Sequence, residues 1–478
     1  MIGRKYERQL LMDLADSSEP EFVVVYGRRR VGKTYLVRET FENKFFFNYT
    51  GIANINGKRQ LEEFTKALRE HGWAPKNDEP AVPANWYDAF GALRELTASA
   101  VESPGENENF RERKIIFIDE MPWMDNIKSD FVPALEHFWN GWASGKKNIM
   151  LIACGSAASW ITKKIFRNKG GLYNRVTRQI ALKPFTLAEC AEFFTDKGIV
   201  MNTQDIVECY MIFGGIPYYL RMLEKRYSLA QNIDNLCFGE TAPLRFEFAR
   251  LMDTLFSKPS KHIQILEALH EKNKGLTREA ISENIEFGNG GNLTRILNEL
   301  EESGFIRAYK PFGGRKNGSL YHLSDSFVSF HLTFIGKTGG DNFWSAYTDN
   351  AGHRAWSGIS FERLCLAHAG QIIKALGISG IQTNVSSWVS RKNSGGAQID
   401  LVIDRADRVI NLCEIKFANG PYEIDRAYEM ALRDKIETFR NETKTRKALH
   451  FTMITTYGVK RGKHSGIVQS EVNMDDLF

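Results

Sequence analysis

Residues 22–40 read F-V-V-V-Y-G-R-R-R-V-G-K-T-Y-L-V-R-E-T. An apolar, β-branched run stops at Gly27, a cationic loop follows, and a helical pattern begins at Lys33. Strand, tight loop, helix is the repeating unit of a parallel α/β sheet, so this stretch restricts the fold more than any other. Gly27-Arg28-Arg29-Arg30-Val31-Gly32-Lys33-Thr34 fits the spacing G-x-x-x-x-G-K-[ST]. Glycines let the backbone curl so that successive N–H groups face one anion, and the following helix adds the partial positive charge of its N-terminus. All eight residues are therefore candidates for holding a triphosphate. Lys33 would reach the β- and γ-phosphates and Thr34 would ligate Mg²⁺.

A second half of such a site follows about 85 residues later in K-I-I-F-I-D-E-M-P-W-M. Asp119 and Glu120 close an apolar strand, at the carboxyl end where α/β sites lie. Asp119 is suited to hold Mg²⁺ through water, and Glu120 to orient or deprotonate the attacking water.

The bulk numbers permit several domains. A chain of 478 residues suggests about three, and 43% hydrophobic with 25% charged residues is ordinary for a globular protein. The net charge of +5 permits nucleic acid as a partner without demanding it. Six cysteines lie scattered with no C-x-x-C pair, which excludes a zinc ribbon or a disulfide framework. The opening M-I-G-R-K-Y-E-R-Q-L-L is charged and lacks the apolar core of a secretory signal. No run approaches the ~18 apolar residues of a membrane helix, so the expectation is a cytoplasmic protein with no membrane partner.

Along the chain, residues 22–27, 114–119 and 149–154 read as buried parallel strands of an α/β domain. From 186 to 250 the pattern is helical. Residues 255–325 predict three helices and two strand-like arms around a Gly-rich turn, 340–352 a connector, and the remainder a second α/β pattern.

With these residues in view, the segment up to about 250 resembles an AAA+ ATPase of the archaeal-type group related to the STAND NTPases. Gly3, Arg4 and Glu7 match the family's opening hxGRxxEL box, which implies Arg4 near the adenine. L-I-A-C-G-S-A-A-S-W-I resembles the strand carrying sensor 1, which implies Ser156 near the γ-phosphate. G-G-L-Y-N-R-V-T-R-Q-I-A-L-K-P-F resembles the family's G-x-L-x-x-R stretch, with Arg175 at its arginine. In AAA+ proteins that arginine can act across a subunit boundary, so a homo-oligomer is implied as a candidate assembly. F-G-G-I-P-Y-Y-L matches the family's GG-x-P-x-Y-L signature in a helical lid. ATP rather than GTP follows from the resemblance.

Residues 255–325 read as a winged helix, with Asn292, Thr294 and Arg295 opening the third helix where base or phosphate contacts are made. Arg315 and Lys316 would sit at the wing tip near backbone phosphates. Glu299, Glu301 and Glu302 on the same helix weigh against DNA. Further on, Glu362 falls on a helix, Asp400 at the start of one strand, and Glu414 and Lys416 on the next. Residues two apart on a strand share a face, so Glu414 and Lys416 point together and Asp400 can meet them. Two carboxylates would bind Mg²⁺ and the lysine would position a water. This constellation resembles the PD-(D/E)XK nuclease fold, with Glu362, Asp400 and Glu414 as metal ligands, Lys416 catalytic, and Q-I-D in place of P-D.

The expected fold is thus an α/β P-loop AAA+ core (1–185), a helical lid (186–250), a winged helix-turn-helix (255–325) and an α/β restriction-endonuclease-like domain (353–478). The expected function is ATP hydrolysis coupled to action on DNA, with a C-terminal Mg²⁺-dependent nuclease-like domain. The alternative is a STAND-like, ATP-driven signalling or assembly switch whose last domain only binds DNA or a partner.

Overall fold

The computed structural model describes every residue except 76–81, 100–112, 127–128, 168–169, 273–274, 287, 289, 314–318, 337–339, 341, 348–349 and 391–396. The chain divides into two compact units, Met1–Lys183 and Pro184–Phe478.

The first unit is built on a parallel sheet. Its strands are β1 (Glu21–Tyr26), β2 (Phe47–Thr50), β3 (Lys114–Asp119), β4 (Ile149–Gly155) and β5 (Arg178–Ala181), in the order β2-β3-β4-β1-β5. Burial explains that order. β4 is buried along its whole length, and β1 and β3 at all but one position. Such uninterrupted apolar runs belong in the middle of a sheet covered on both faces. β5 buries only Ile180 and lies at the edge. Parallel pairing sets Tyr26 beside Gly155 and Ile118 beside Ala153. The ends of the three central strands therefore meet at one edge of the sheet. The helices Gly57–Glu70, Trp86–Ser99 and Phe131–Gly141 bury Phe64, Trp86, Phe90, Phe131 and Phe138 in a shared core.

The second unit begins with the helices Leu187–Asp196 and Thr203–Phe213. Thr186 and Glu189 form a reciprocal cap on the first, and Asn202 caps the second. After the helices Pro217–Leu220, Leu229–Cys237 and Glu247–Leu255 come Ser260–Glu271, Arg278–Asn284 and Gly291–Glu302. An antiparallel pair follows, β6 (Ile306–Tyr309) with β7 (Leu320–Leu323). Leucines and isoleucines at helical spacing, among them Ile265, Leu269, Ile281, Leu293, Ile296 and Leu300, close its core. The turn between the two arms, with Arg315 and Lys316, lies outside the described residues.

Residues 340–352 are more than the connector expected from sequence. Trp344 in the helix Phe343–Tyr347 is fully buried. Its ring packs edge-on against Phe330 at 5.1 Å and Trp356 at 5.4 Å between centroids. Asp234 accepts hydrogen bonds from the Trp344 and Ser345 backbone N–H groups. The polar letters of this stretch hid a tryptophan whose burial is a large apolar contribution.

The last sheet contains β8 (Thr383–Val389), β9 (Gln398–Arg405), β10 (Val409–Lys416), β11 (Ala448–Thr455) and β12 (Ser470–Val472). β8, β9 and β10 form an antiparallel meander, and β10, β11 and β12 run parallel. The helix Arg426–Thr443 lies over one face and buries Leu432 and Phe439.

Candidate functional site: a nucleotide loop and a second carboxylate centre

The Gly27–Thr34 loop joins β1 to the helix Lys33–Thr40, which Gly32 caps. The Lys33 ammonium donates to the carbonyl oxygens of Gly27 and Arg28, each at 3.2 Å. It is buried, and burial lowers its pKa against the pull of Glu120 and Asp119. Thr34 donates its hydroxyl to Asp119 Oδ2 at 2.8 Å, joining the loop to the end of β3. Burial raises the Asp119 carboxyl, and the Thr34 bond works against that rise. Thr34 and Asp119 thus offer two adjacent oxygens of the kind that hold a hard divalent cation beside phosphate.

Glu120 stands in a left-handed backbone conformation, φ 45° and ψ 44°. Its Oε2 accepts from the Ser156 hydroxyl at 2.8 Å and the Ser156 N–H at 3.3 Å. Two glycines make room for this turn. A Cβ on Gly51 would come within 2.6 Å of the Glu120 carbonyl, and one on Gly155 within 2.8 Å of Pro122 Cδ. The sequence reading passed over both, although each stands just after a strand-like run.

Arg4 is the residue that the resemblance implies near the base. It is buried at the start of the first helix, and its guanidinium donates to the Val31 and Lys183 carbonyls. It therefore clamps the phosphate loop by its backbone. Arg28 is buried and donates to the Arg29 carbonyl, Arg29 lies close enough to Lys33 to lower its pKa, and Val31 is buried. Arg30 takes positive φ. Arg175 is exposed on the segment that leads into β5, and the structure joins it to none of the loop residues.

In the second unit, Glu414 and Lys416 lie on β10 and share a face. Asp400 lies on β9 one position beyond the registered pair Leu401–Cys413, directly across from Glu414. Lys416 Nζ is 3.1 Å from Glu414 Oε1. Two partners absent from the sequence reading complete the shell. Tyr428 donates its hydroxyl to Glu414 Oε1 at 3.0 Å, and Lys435 Nζ lies 2.6 Å from Oε2. Burial works to raise Glu414, but Lys435 and Lys416 bring it below the usual carboxylate range.

Glu362 is raised by burial and by the charge of Asp400, and Asp400 by burial and by Glu414. These carboxyls repel one another. Among the described residues, no three His, Cys, Asp or Glu side chains stand together as a ready metal cage. Mg²⁺ commonly uses one or two carboxylates with waters and phosphate, so Asp400 and Glu414 fit it.

On the helix Gly291–Glu302, Arg295 donates to both Glu299 oxygens at 2.8 and 2.9 Å and to Asn292 Oδ1 at 3.1 Å. Thr294 accepts from Arg278 at 2.6 Å. The three residues of this helix expected at DNA are thus bonded within the fold.

Residues 2–223 match the family model of an ATPase domain found predominantly in Archaea. An uncharacterized protein of Methanocaldococcus jannaschii is 27% identical over 339 residues, 70% of this chain and 68% of that protein. An uncharacterized ATP-binding protein of the same organism is 40% identical over 43 residues, 9% of this chain and 73% of that protein. Among solved structures, a Walker-type ATPase of Pyrococcus abyssi is similar at a TM-score of 0.49 and 15% identity, covering 70% of this chain and 96% of that one. The first part of the chain is an archaeal-type ATPase domain, and the protein is an ATPase. Among the described residues, no helix is long and apolar enough to cross a membrane.

Proposed function

We propose that the protein is an AAA+-type ATPase acting on DNA, with a Mg²⁺-dependent, nuclease-like centre in its second unit. In the first unit, the loop from Gly27 to Thr34 takes the phosphates of ATP, with Lys33 leaving its two carbonyls for the β- and γ-phosphates. Thr34 and Asp119 hold Mg²⁺, which neutralises phosphate charge. Glu120 orients the attacking water, and Ser156 sets its carboxylate. Arg175, exposed, is free to serve a neighbouring copy in a homo-oligomer. In the second unit, Asp400 and Glu414 hold the cation, Glu362 supports them and Lys416 orients water for phosphodiester hydrolysis. Water adds to phosphorus, one P–O bond breaks, and the departing oxygen takes up a proton.

The observation that carries this reading is the meeting of Asp400, Glu414 and Lys416 on adjacent strands, with Glu362 raised by burial and then by Asp400. Buried charges of this kind are costly without a purpose. The experiment is Mg²⁺- or Mn²⁺-dependent cleavage of linear, circular and branched DNA, with and without ATP, for wild type beside Lys416→Ala. Cleavage lost in the variant supports the reading. No cleavage on any substrate, with ATP hydrolysis intact, removes it.

One observation favours the alternative, an ATP-driven assembly switch whose last domain only docks. Arg295, Asn292 and Glu299 satisfy one another, which leaves that helix little reason to seek phosphate. Particle size measured with and without ATP decides, and an unchanged size sinks the switch.

A further inference from the structure

Lys435 was not legible as a functional residue. It lies in R-D-K-I-E-T-F-R, which reads as the solvated side of an amphipathic helix. In the fold it turns inward. The helix Arg426–Thr443 brings Tyr428 and Lys435 to Glu414 from positions two turns apart, which share a face. Tyr428 and Lys416 both serve Oε1, at 3.0 and 3.1 Å. Oε2 is held by Lys435 at 2.6 Å. The Glu414 side chain is 5% exposed and that of Lys435 22%, so the lysine has a path outward that the carboxylate lacks.

Both oxygens of Glu414 are therefore occupied by the chain's own donors. A dication shared with Asp400 needs one of them. Freeing Oε1 means breaking two contacts. Freeing Oε2 breaks the Lys435 contact, and a lysine on a four-carbon stem moves without disturbing its helix.

We propose that Lys435 is a second functional lysine of this centre. It holds the place of the cation on Glu414 Oε2, yields that oxygen when the cation binds, and then contacts the DNA phosphate. This inference rests on the nuclease-like reading of the centre. It adds a competitor for the metal that the Asp400, Glu414 and Lys416 pattern does not contain.

The test is Mn²⁺ binding to the full-length protein without nucleotide or DNA, followed by DNA cleavage at saturating Mn²⁺. Lys435→Met and Lys435→Gln should bind Mn²⁺ about 3- to 10-fold more tightly than wild type, since each removes a nearby positive charge. Cleavage at saturating Mn²⁺ should fall about 100-fold in both, as expected for loss of one donor to a reacting phosphate. Lys435→Arg should stay within a few-fold of wild type in both measurements. Lys435→Gln keeps a polar head and guards against a variant that fails to fold.

Wild-type Mn²⁺ affinity in Lys435→Gln, while Asp400→Asn loses binding, overturns the inference and leaves the metal centre standing. Tighter binding with undiminished cleavage reduces Lys435 to a neutralising partner and also overturns it. Mn²⁺ binding that survives Asp400→Asn removes the centre itself, and the nuclease-like reading falls first.

Discussion

The two centres use the same residue types and differ in where the lysine rests. In the first unit, Lys33 sits on two neutral carbonyl oxygens, while Asp119 and Glu120 are held by the hydroxyls of Thr34 and Ser156. In the second, Lys416 and Lys435 sit directly on Glu414. Moving Lys33 toward an anion breaks two bonds to uncharged groups. Moving Lys435 exposes a buried carboxylate, which is costly unless another cation replaces it. The first arrangement is ready for a phosphate. The second is neutralised by its own chain.

The comparison is broken most directly at Lys33. Lys33→Ala should lower ATP turnover at least about 100-fold, since it removes a preorganised charge at the transferring phosphate. A turnover assay that finds wild-type rates would show that Lys33 only fills the loop. A smaller effect is expected from Arg4→Ala. Its guanidinium holds the loop through the Val31 and Lys183 carbonyls, so its loss should cost about 1–3 kcal/mol of stability and weaken ATP binding. Thermal melts with and without nucleotide read both. If Arg4 instead touched the base, ATP affinity would fall while the melt stayed in place.

The second unit should show its self-neutralised state as a pH slope. Glu362 and Asp400 are raised by burial first and then by neighbouring carboxylates. The folded protein keeps protons that the unfolded chain releases. Their contribution is therefore complete below the ordinary carboxylate range and fades as pH rises through the raised values. Glu414 is lowered, so its contribution is lost only as pH falls through its depressed value. Between about pH 5 and 8, stability should fall by at most ~1.4 kcal/mol per pH unit for each retained proton. Glu362→Gln should flatten the slope, and Mn²⁺ should flatten it in wild type. A slope unchanged in the variant would place the titration elsewhere.

The smallest effect sharpens the choice between readings. Arg295→Ala should change stability by under about 1 kcal/mol, because its pair with Glu299 is half-exposed. Its effect on DNA affinity, read by anisotropy across salt concentrations, then bears on the Gly291–Glu302 helix alone. A salt slope unchanged by the substitution would mean that this helix makes no phosphate contact.

Much of this was legible because it is local. The apolar runs that became β1, β3 and β4, the loop from Gly27 to Thr34, the Asp119-Glu120 pair and the Glu414-Ile415-Lys416 triplet all lie within a few residues of chain. Their spacing follows from the period of a strand or the curl of a loop. The three-helix pattern of 255–325 was readable for the same reason, since its leucines recur at helical intervals. Sequence alone also set Asp400 on the strand beside Glu414 and Lys416, and marked Glu362 by its chemistry but not by its distance.

What the tertiary structure decided is the partner of each charge. Arg4 finds Val31 and Lys183, Ser156 finds Glu120, Arg295 finds Glu299, and Lys435 finds Glu414. Trp344 found a buried aromatic cluster where its neighbours read as a connector. A side chain's type fixes what it can bond, and local periodicity fixes which way it faces. Which acceptor waits there depends on packing between segments far apart in the chain. A lysine in an amphipathic helix reads the same from sequence whether water or a buried carboxylate lies in front of it.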